Sequence, residues 1–170
     1  MQTSSIMTAI GDGKGILTFR QHQFPVAIGA NGTRSDKSEG DSATPPGLLP
    51  LRRVFYRADR LARPRTSLPC EPLAPHDGWC DDPRHRDYNR FVTLPHDARC
   101  ENLWRDDHSY DLIAVLGWND DPPVPGRGSA IFLHLPTTSG VTEGCIALPE
   151  AQWRTLLADG MAAIEVSPAT

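Results

Sequence analysis

Two side chains near the C-terminal end, His134 and Cys145, have the types and the spacing of a base and a nucleophile. His134 ends the apolar run IFLH, and Cys145 begins the apolar run CIAL eleven residues later. A cysteine attacks as its thiolate, so it needs a base or a positive field beside it. If both runs are strands, the residues between them can fold back and bring the two side chains together. The pattern therefore predicts a Cys–His dyad.

Gly144, directly before Cys145, fits the same chemistry. A glycine tolerates positive φ and lets the backbone approach a substrate closely. The backbone amides of Gly144 and Cys145 can then point at the oxyanion that develops during acyl transfer. A third group would orient the imidazole of His134, and the sequence leaves open whether this is a backbone carbonyl or a hydroxyl.

A second interpretation makes Cys145 an unreactive thiol of the core, since cysteines in apolar runs are commonly buried. The two interpretations differ in the sign of the effect on the thiol pKa. A neighbouring imidazolium stabilises the thiolate and lowers the pKa, whereas burial raises it.

The elements that must position these residues are mainly strands. Apolar and polar residues alternate in 15–29 around a central turn, which predicts two strands, and 48–56, 91–96, 111–118, 129–135 and 161–167 predict five more. Asp97 and the following ARCENLWRD predict a short helix, and Pro149 to Leu157 predict a second one that Gly160 ends. The pattern is typical of a mainly β sandwich or barrel with two or so short helices.

A chain of 170 residues corresponds to about one domain. We expect a lead-in over residues 1–14, one domain over 15–166 and a tail over 167–170. The long polar loop between the second and third predicted strands, ANGTRSDKSEGDSATPPG, is expected to be functional. The stretch 60–87 is rich in Pro, Arg and Asp and predicts an irregular excursion over the surface.

The net charge of −4 argues against a protein built to bind nucleic acid or an anionic membrane. No run approaches about 18 consecutive apolar residues, so we expect no membrane span. The N-terminal residues show neither a basic region nor an apolar core, and therefore predict no secretory signal. This prediction is compatible with an intracellular location, with another export route, and with a start further upstream.

Three further cysteines, Cys70, Cys80 and Cys100, accompany Cys145, and at most two of these three can pair with each other. Cys80 and Cys100 are also spaced with His85 and His96 in a way that a zinc ion could use. Small buried or surface thiols are the alternative, because the intervening residues resemble a loop.

Three stretches in order resemble the YkuD-type L,D-transpeptidase catalytic domain. Thr44, Pro45 and Gly47 match the family's TPxG stretch. His134 matches the histidine on a strand, and Thr142, Gly144 and Cys145 match the box [S/T]xGCxR. The resemblance extends from about residue 15 to 166. The chain departs from it at Ala147, where the family has an arginine.

The resemblance implies an L,D-transpeptidase-like β-sandwich and acyl transfer on peptidoglycan stem peptides in the bacterial cell envelope. Cys145 would form a thioester at the third stem residue, and His134 would serve as acid and base. No metal or organic cofactor is needed. Thr142 and Thr44 become candidate substrate contacts. Arg127 is a candidate for the missing cation, and the alternative is a solvated loop charge.

Three other functions remain as alternatives. Water in place of the acceptor amine would make the protein an L,D-carboxypeptidase. A non-catalytic cell-wall-binding module would keep the fold without the reaction. A zinc-stabilised interaction domain would use the cysteine and histidine residues between 80 and 100.

Overall fold

The computed structural model describes all 170 residues and confirms a mainly β fold. It has twelve strands and one helix: β1 Ser4–Gly11, β2 Lys14–Phe19, β3 His22–Ala27, β4 Gly47–Tyr56, β5 Cys70–Pro72, β6 Asp77–Cys80, β7 Phe91–Thr93, β8 Cys100–Asn102, β9 Leu112–Leu116, β10 Phe132–His134, β11 Ile146–Ala147, α1 Glu150–Ala158 and β12 Ala163–Val166. No helix is both long enough and apolar enough to cross a bilayer.

Nine strands form the main sheet in the order β12-β1-β2-β3-β11-β10-β9-β4-β5. β12 also pairs with β4, so the sheet closes on itself in a sandwich-like arrangement. β9 reads LIAVL and is buried at every position, as expected for a strand covered on both faces. In β2, buried and more exposed residues alternate, as expected for a strand with one face toward the core.

A second sheet of three strands, in the order β7-β6-β8, covers the main sheet near β10. Its Trp79 packs edge-on against Phe132 of β10, with ring centroids 5.2 Å apart. Phe132 and Cys145 belong to the cluster between the two sheets, whereas Leu133 belongs to the larger core on the other face of β10. This alternation places Phe132 and His134 on the same face of the strand.

The helix predicted at Pro149 is present. Pro149 is the N-cap residue, and Trp153, Leu156 and Leu157 form the buried face. Gly160 follows the helix with φ of +89°, the left-handed conformation that ends helices. The indole N–H of Trp153 donates to the Leu133 carbonyl at 3.3 Å. The helix therefore packs against the face of β10 that carries Leu133.

The prediction of a helix after Asp97 is wrong. Residues 100–102 instead form β8, in which Glu101 lies opposite Trp79 of β6. The Asn102 side chain accepts a hydrogen bond from the Trp104 amide and turns the chain after the strand. So short a segment is a marginal helix in water, and pairing with β6 decides its structure.

Two other expectations need correction. The expected lead-in contains β1, which pairs with β2 and with β12, so the sheet begins at Ser4. The expected surface excursion over 60–87 contains β5 and β6, and Trp79 within it is 7% exposed. Neither segment contains a long apolar run, and β1 also pairs with β12 at the other end of the chain.

Candidate active site

β10 and β11 bring the two ends of the predicted dyad together. The strands are parallel neighbours, with Leu133 opposite Ile146 and His134 opposite Ala147. Cys145 directly precedes β11, and its Sγ accepts a hydrogen bond from the Phe132 amide at 3.3 Å. His134 and Cys145 both border one cavity of about 670 Å³.

The imidazole of His134 is held by the backbone. Its Nδ1 lies 2.7 Å from the Leu135 carbonyl oxygen. A carbonyl only accepts hydrogen bonds, so Nδ1 carries the proton and Nε2 keeps its lone pair. The orienting group that the sequence left open is therefore a backbone carbonyl. Burial lowers the pKa of His134 to about 4, although the bond to Leu135 opposes this effect.

Cys145 is 8% exposed, and its thiol donates to the Ala130 carbonyl at 3.2 Å. Burial raises the pKa of this thiol to about 12, and the neighbouring Glu101 adds to the effect. The resting site therefore holds a neutral thiol and a neutral imidazole. The sequence allowed two opposite effects on the pKa of this thiol, and the increase caused by burial prevails over the decrease that an imidazolium would cause.

Gly144 has φ of +140°, a conformation that is essentially confined to glycine. A Cβ at this position would lie 2.8 Å from the Ala43 carbonyl oxygen. The Gly144 amide donates to the Thr142 hydroxyl at 3.1 Å, which in turn donates to the Cys145 carbonyl at 2.6 Å. The Cys145 amide donates to no protein group. Of the two amides expected to stabilise an oxyanion, that of Cys145 is the one left free.

Thr44 contacts Gly144 in the turn before Cys145 and is fully buried. Its hydroxyl donates to the Gly144 carbonyl at 2.9 Å and accepts from the Gly29 amide at 2.9 Å. Thr44 is absent from the cavity wall, which the same loop reaches through Lys37, Gly40 and Ser42. The loop therefore adjoins the cavity, and Thr44 positions the turn.

The candidate cation Arg127 is exposed and lies outside the cavity. Three other cations border the cavity: Lys37, Arg99 and Arg105. Ala147, where the family has its arginine, is 2% exposed. A cation that takes over the role of that arginine must therefore come from another part of the chain.

Two residues that sequence reasoning missed, Tyr110 and Glu101, border the same cavity as His134 and Cys145. The Tyr110 ring packs edge-on against the imidazole, with centroids 5.2 Å apart, and its hydroxyl donates to Glu101. Burial raises the pKa of Glu101 to about 7, although the bond from Tyr110 opposes this effect. The guanidinium of Arg105 lies over the Tyr110 ring, with Cζ 5.1 Å from the ring centroid. Glu101 was assigned to the wrong element, and no spacing links Tyr110 to the dyad.

Lys37 borders the cavity and forms an ion pair of 2.6 Å with Asp41, and the two side chains are 3% and 4% exposed. Burial favours the neutral acid of Asp41, but hydrogen bonds from Lys37 and from the Ser38 and Ala43 amides prevail and lower its pKa. The pair fixes the loop that carries Thr44 against the site.

The chain matches the model of one protein family. The model of YkuD, described as the L,D-transpeptidase catalytic domain, matches residues 2–159. The match begins before β1 and includes the cavity, His134 and Cys145. No curated protein and no solved structure shows significant similarity to the chain.

Proposed function

This chain belongs to the YkuD family of L,D-transpeptidase catalytic domains, and from that premise we propose that it performs cysteine-dependent acyl transfer on peptidoglycan stem peptides. The family acts on peptidoglycan stem peptides, which implies action in the cell envelope. The observation that carries the proposal is the shared cavity: a cysteine with a free amide and a histidine with a free Nε2 border the same space.

The reaction begins with attack of Cys145 Sγ on the carbonyl carbon of the third stem residue. The thiol of Cys145 gives up its hydrogen bond to the Ala130 carbonyl, and its proton passes to Nε2 of His134, because the neutral imidazole can accept it. The Cys145 amide donates to the developing oxyanion. His134 then gives its proton to the leaving amine of the terminal D-amino acid, and a thioester remains on Cys145.

In the second half an amine of another stem attacks the thioester. His134 accepts the proton of that amine, and the Cys145 thiolate leaves and recovers a proton from the imidazole. The same chemistry with water as acceptor gives an L,D-carboxypeptidase. The two outcomes differ only in which acceptor reaches the thioester.

Arg105 is the cation we assign to a carboxylate of the stem peptide. It borders the cavity, lies over Tyr110 and contributes to the lowered pKa of His134. Asp107 occupies one edge of its guanidinium, at 3.1 Å from Nε and 2.5 Å from Nη2, which leaves the edge with Nη1 for the substrate. A planar guanidinium binds carboxylates through two parallel hydrogen bonds, which orients the substrate as well as attracting it.

The test is incubation of the purified protein with a disaccharide-tetrapeptide, followed by mass analysis of the products. Transpeptidation gives a cross-linked dimer with loss of one terminal D-amino acid, whereas carboxypeptidase activity gives the tripeptide. Cys145→Ala is the inactive control, and Cys70→Ala is the matched control that removes a buried thiol elsewhere. Unchanged substrate with the wild-type protein would contradict both reactions and leave the cell-wall-binding module.

A further inference from the structure

Three metal-ligand side chains converge in the small sheet, apart from the cavity described above. Cys80 ends β6, Cys100 begins β8, and the two lie directly opposite each other. His96 precedes β8 by four residues. The ligand atoms of Cys80, His96 and Cys100 all lie within 4.8 Å of one another. None of the three has a part in the proposed acyl transfer.

The spacing of these atoms fits a tetrahedral ion. Cys100 Sγ lies 3.5 Å from His96 Nδ1. Metal–ligand bonds of about 2.3 Å to sulfur and about 2.0–2.1 Å to nitrogen, at a tetrahedral angle, place the two ligands about 3.5 Å apart. The Asp81 amide donates to the Arg99 carbonyl, so the neighbouring residues Asp81 and Arg99 form a hydrogen-bonded pair. Cys80 and Cys100 therefore form a non-hydrogen-bonded pair, in which the side chains lie closer together.

The imidazole of His96 is already oriented for a metal. Its Nε2 lies 2.9 Å from Asp87 Oδ2, within hydrogen-bond distance. When the Asp87 carboxylate accepts this hydrogen bond, Nε2 carries the proton and the lone pair of Nδ1, 3.5 Å from Cys100 Sγ, is available to a metal. The Ala98 amide donates to the same lone pair at 3.1 Å, and a metal would take its place. A histidine ligand whose other nitrogen donates to a carboxylate is the usual arrangement in zinc sites.

We propose that Cys80, His96 and Cys100 bind one zinc ion, with water as the fourth ligand on the side where Cys100 is half-exposed. Two thiolates and an imidazole form a ligand set that suits zinc in tetrahedral geometry. Asp87 orients His96. His85, which the sequence grouped with these residues, packs edge-on against the His96 ring with centroids 4.8 Å apart, and supports that ring.

The ion would fix the small sheet against the cavity. Asp81 and Glu101 directly follow Cys80 and Cys100 in sequence, and both border the cavity. A metal between the two cysteines therefore links β6 to β8 at the point where these two carboxylates enter the wall. This role is structural, and the proposal rests on the ligand geometry alone, independent of the acyl-transfer function.

A disulfide between Cys80 and Cys100 is the competing use of the same two thiols. Residues opposite each other in a non-hydrogen-bonded pair have Cα atoms about 4.5 Å apart, within the range that a disulfide spans. A disulfide has no need of His96, whereas the zinc site does. A variant at His96 therefore separates the two.

The experiment measures metal content and cobalt binding on the full chain. Protein purified under reducing conditions is expected to contain one zinc per chain by elemental analysis. After removal of the metal, Co²⁺ should bind with the absorption of a cobalt–thiolate bond. His96→Ala and Cys100→Ser should lose both signals, Asp87→Asn should bind about 10–100-fold more weakly, and Cys70→Ser should match the wild type. Circular dichroism identifies variants that fold.

Three results would overturn the zinc site. The first is less than a tenth of an equivalent of zinc together with no cobalt–thiolate absorption in the wild type. The second is a Cys80–Cys100 disulfide in unreduced peptides from a protein whose reduced form binds no Co²⁺. The third is unchanged binding in His96→Ala. If Cys100→Ser fails to fold, His96→Ala decides alone, because it keeps both thiols.

Discussion

The Thr44 hydroxyl donates a hydrogen bond of 2.9 Å to the Gly144 carbonyl, across one hundred residues of chain. The same oxygen accepts from the Gly29 amide. Through these two bonds the polar loop before β4 holds the turn that presents Cys145. The TPxG stretch thus contacts the turn before Cys145, and its threonine is a positioning residue in our interpretation.

Thr44→Val should lower both stability and turnover. Valine keeps the shape of the side chain but leaves the Gly29 amide and the Gly144 carbonyl without partners, at about 1–3 kcal/mol for each buried group. Chemical denaturation measures the loss. Thr33→Val is the matched control, because the Thr33 hydroxyl is buried without any hydrogen bond and its removal should be neutral or stabilising. Equal losses in the two variants would contradict the role of Thr44.

Gly144→Ala should abolish turnover and destabilise the protein. The φ of +140° is strained for alanine by about 1–3 kcal/mol, and the added Cβ would lie 2.8 Å from the Ala43 carbonyl oxygen. Gly126→Ala is the control for conformation alone, since Gly126 also has positive φ but open space around it. Thermal melting and product analysis of both variants check this. A fully active Gly144→Ala would show that the turn tolerates a different path.

Alkylation of Cys145 should be slow at neutral pH and accelerate as pH rises. The thiol pKa of about 12 implies a thiolate fraction that grows about tenfold per pH unit between pH 7 and 9. His134→Ala should change this profile little, because an imidazole with a pKa of about 4 is neutral there. The same variant should lose roughly 10²–10⁴-fold in turnover. Peptide mapping after iodoacetamide gives the rate at Cys145.

A plateau of Cys145 alkylation near pH 6–7 that His134→Ala removes would contradict the neutral pair. It would show that an imidazolium stabilises the thiolate before substrate binds. Loss of turnover without any change in alkylation would place the proton transfer within the substrate complex.

Glu101 should make the protein less stable as pH rises from about 5 to about 7. Its folded pKa of about 7 lies above the ordinary value of 4.5, so folding favours the protonated acid. This contribution is complete below about pH 4.5 and disappears as pH passes the folded pKa. Glu101→Gln should remove that part of the pH dependence of the melting temperature. Glu165→Gln, at an exposed strand position, controls for loss of one carboxylate, and identical profiles for Glu101→Gln and the wild type would refute the shift.

Arg105→Ala should raise KM for the tetrapeptide more than it lowers kcat. A charge-assisted hydrogen bond contributes about 1.5–3 kcal/mol, so kcat/KM should fall about tenfold or more. Arg105→Lys keeps the charge without the planar fork and should recover part of the loss. Arg127→Ala, which removes an exposed cation outside the cavity, should leave both constants unchanged. A larger effect at Arg127 than at Arg105 would reverse the assignment.

Local patterns in the sequence were sufficient for much of the fold. Neighbouring residues alone predict the alternation in β2 and β3, the apolar run of β9, and the start and end of α1 at Pro149 and Gly160. The structure agrees with these predictions. The segment 100–102 shows the limit. Its composition suits a short helix, but its pairing partner β6 lies about twenty residues away, and only that partner makes it a strand.

The sequence also determined the residue types of the dyad, the need for glycine at 144 and the family to which the chain belongs. Tertiary structure decided the rest. Burial set the protonation of His134 and Cys145, because the cost of charging a group depends on everything packed around it. Thr44 supports the turn, and Arg127 lies outside the cavity. Tyr110 and Glu101 border the cavity, although no local pattern in the sequence linked them to it. Solvation and long-range contact are properties of the folded molecule, and spacing along the chain does not encode them in any short motif.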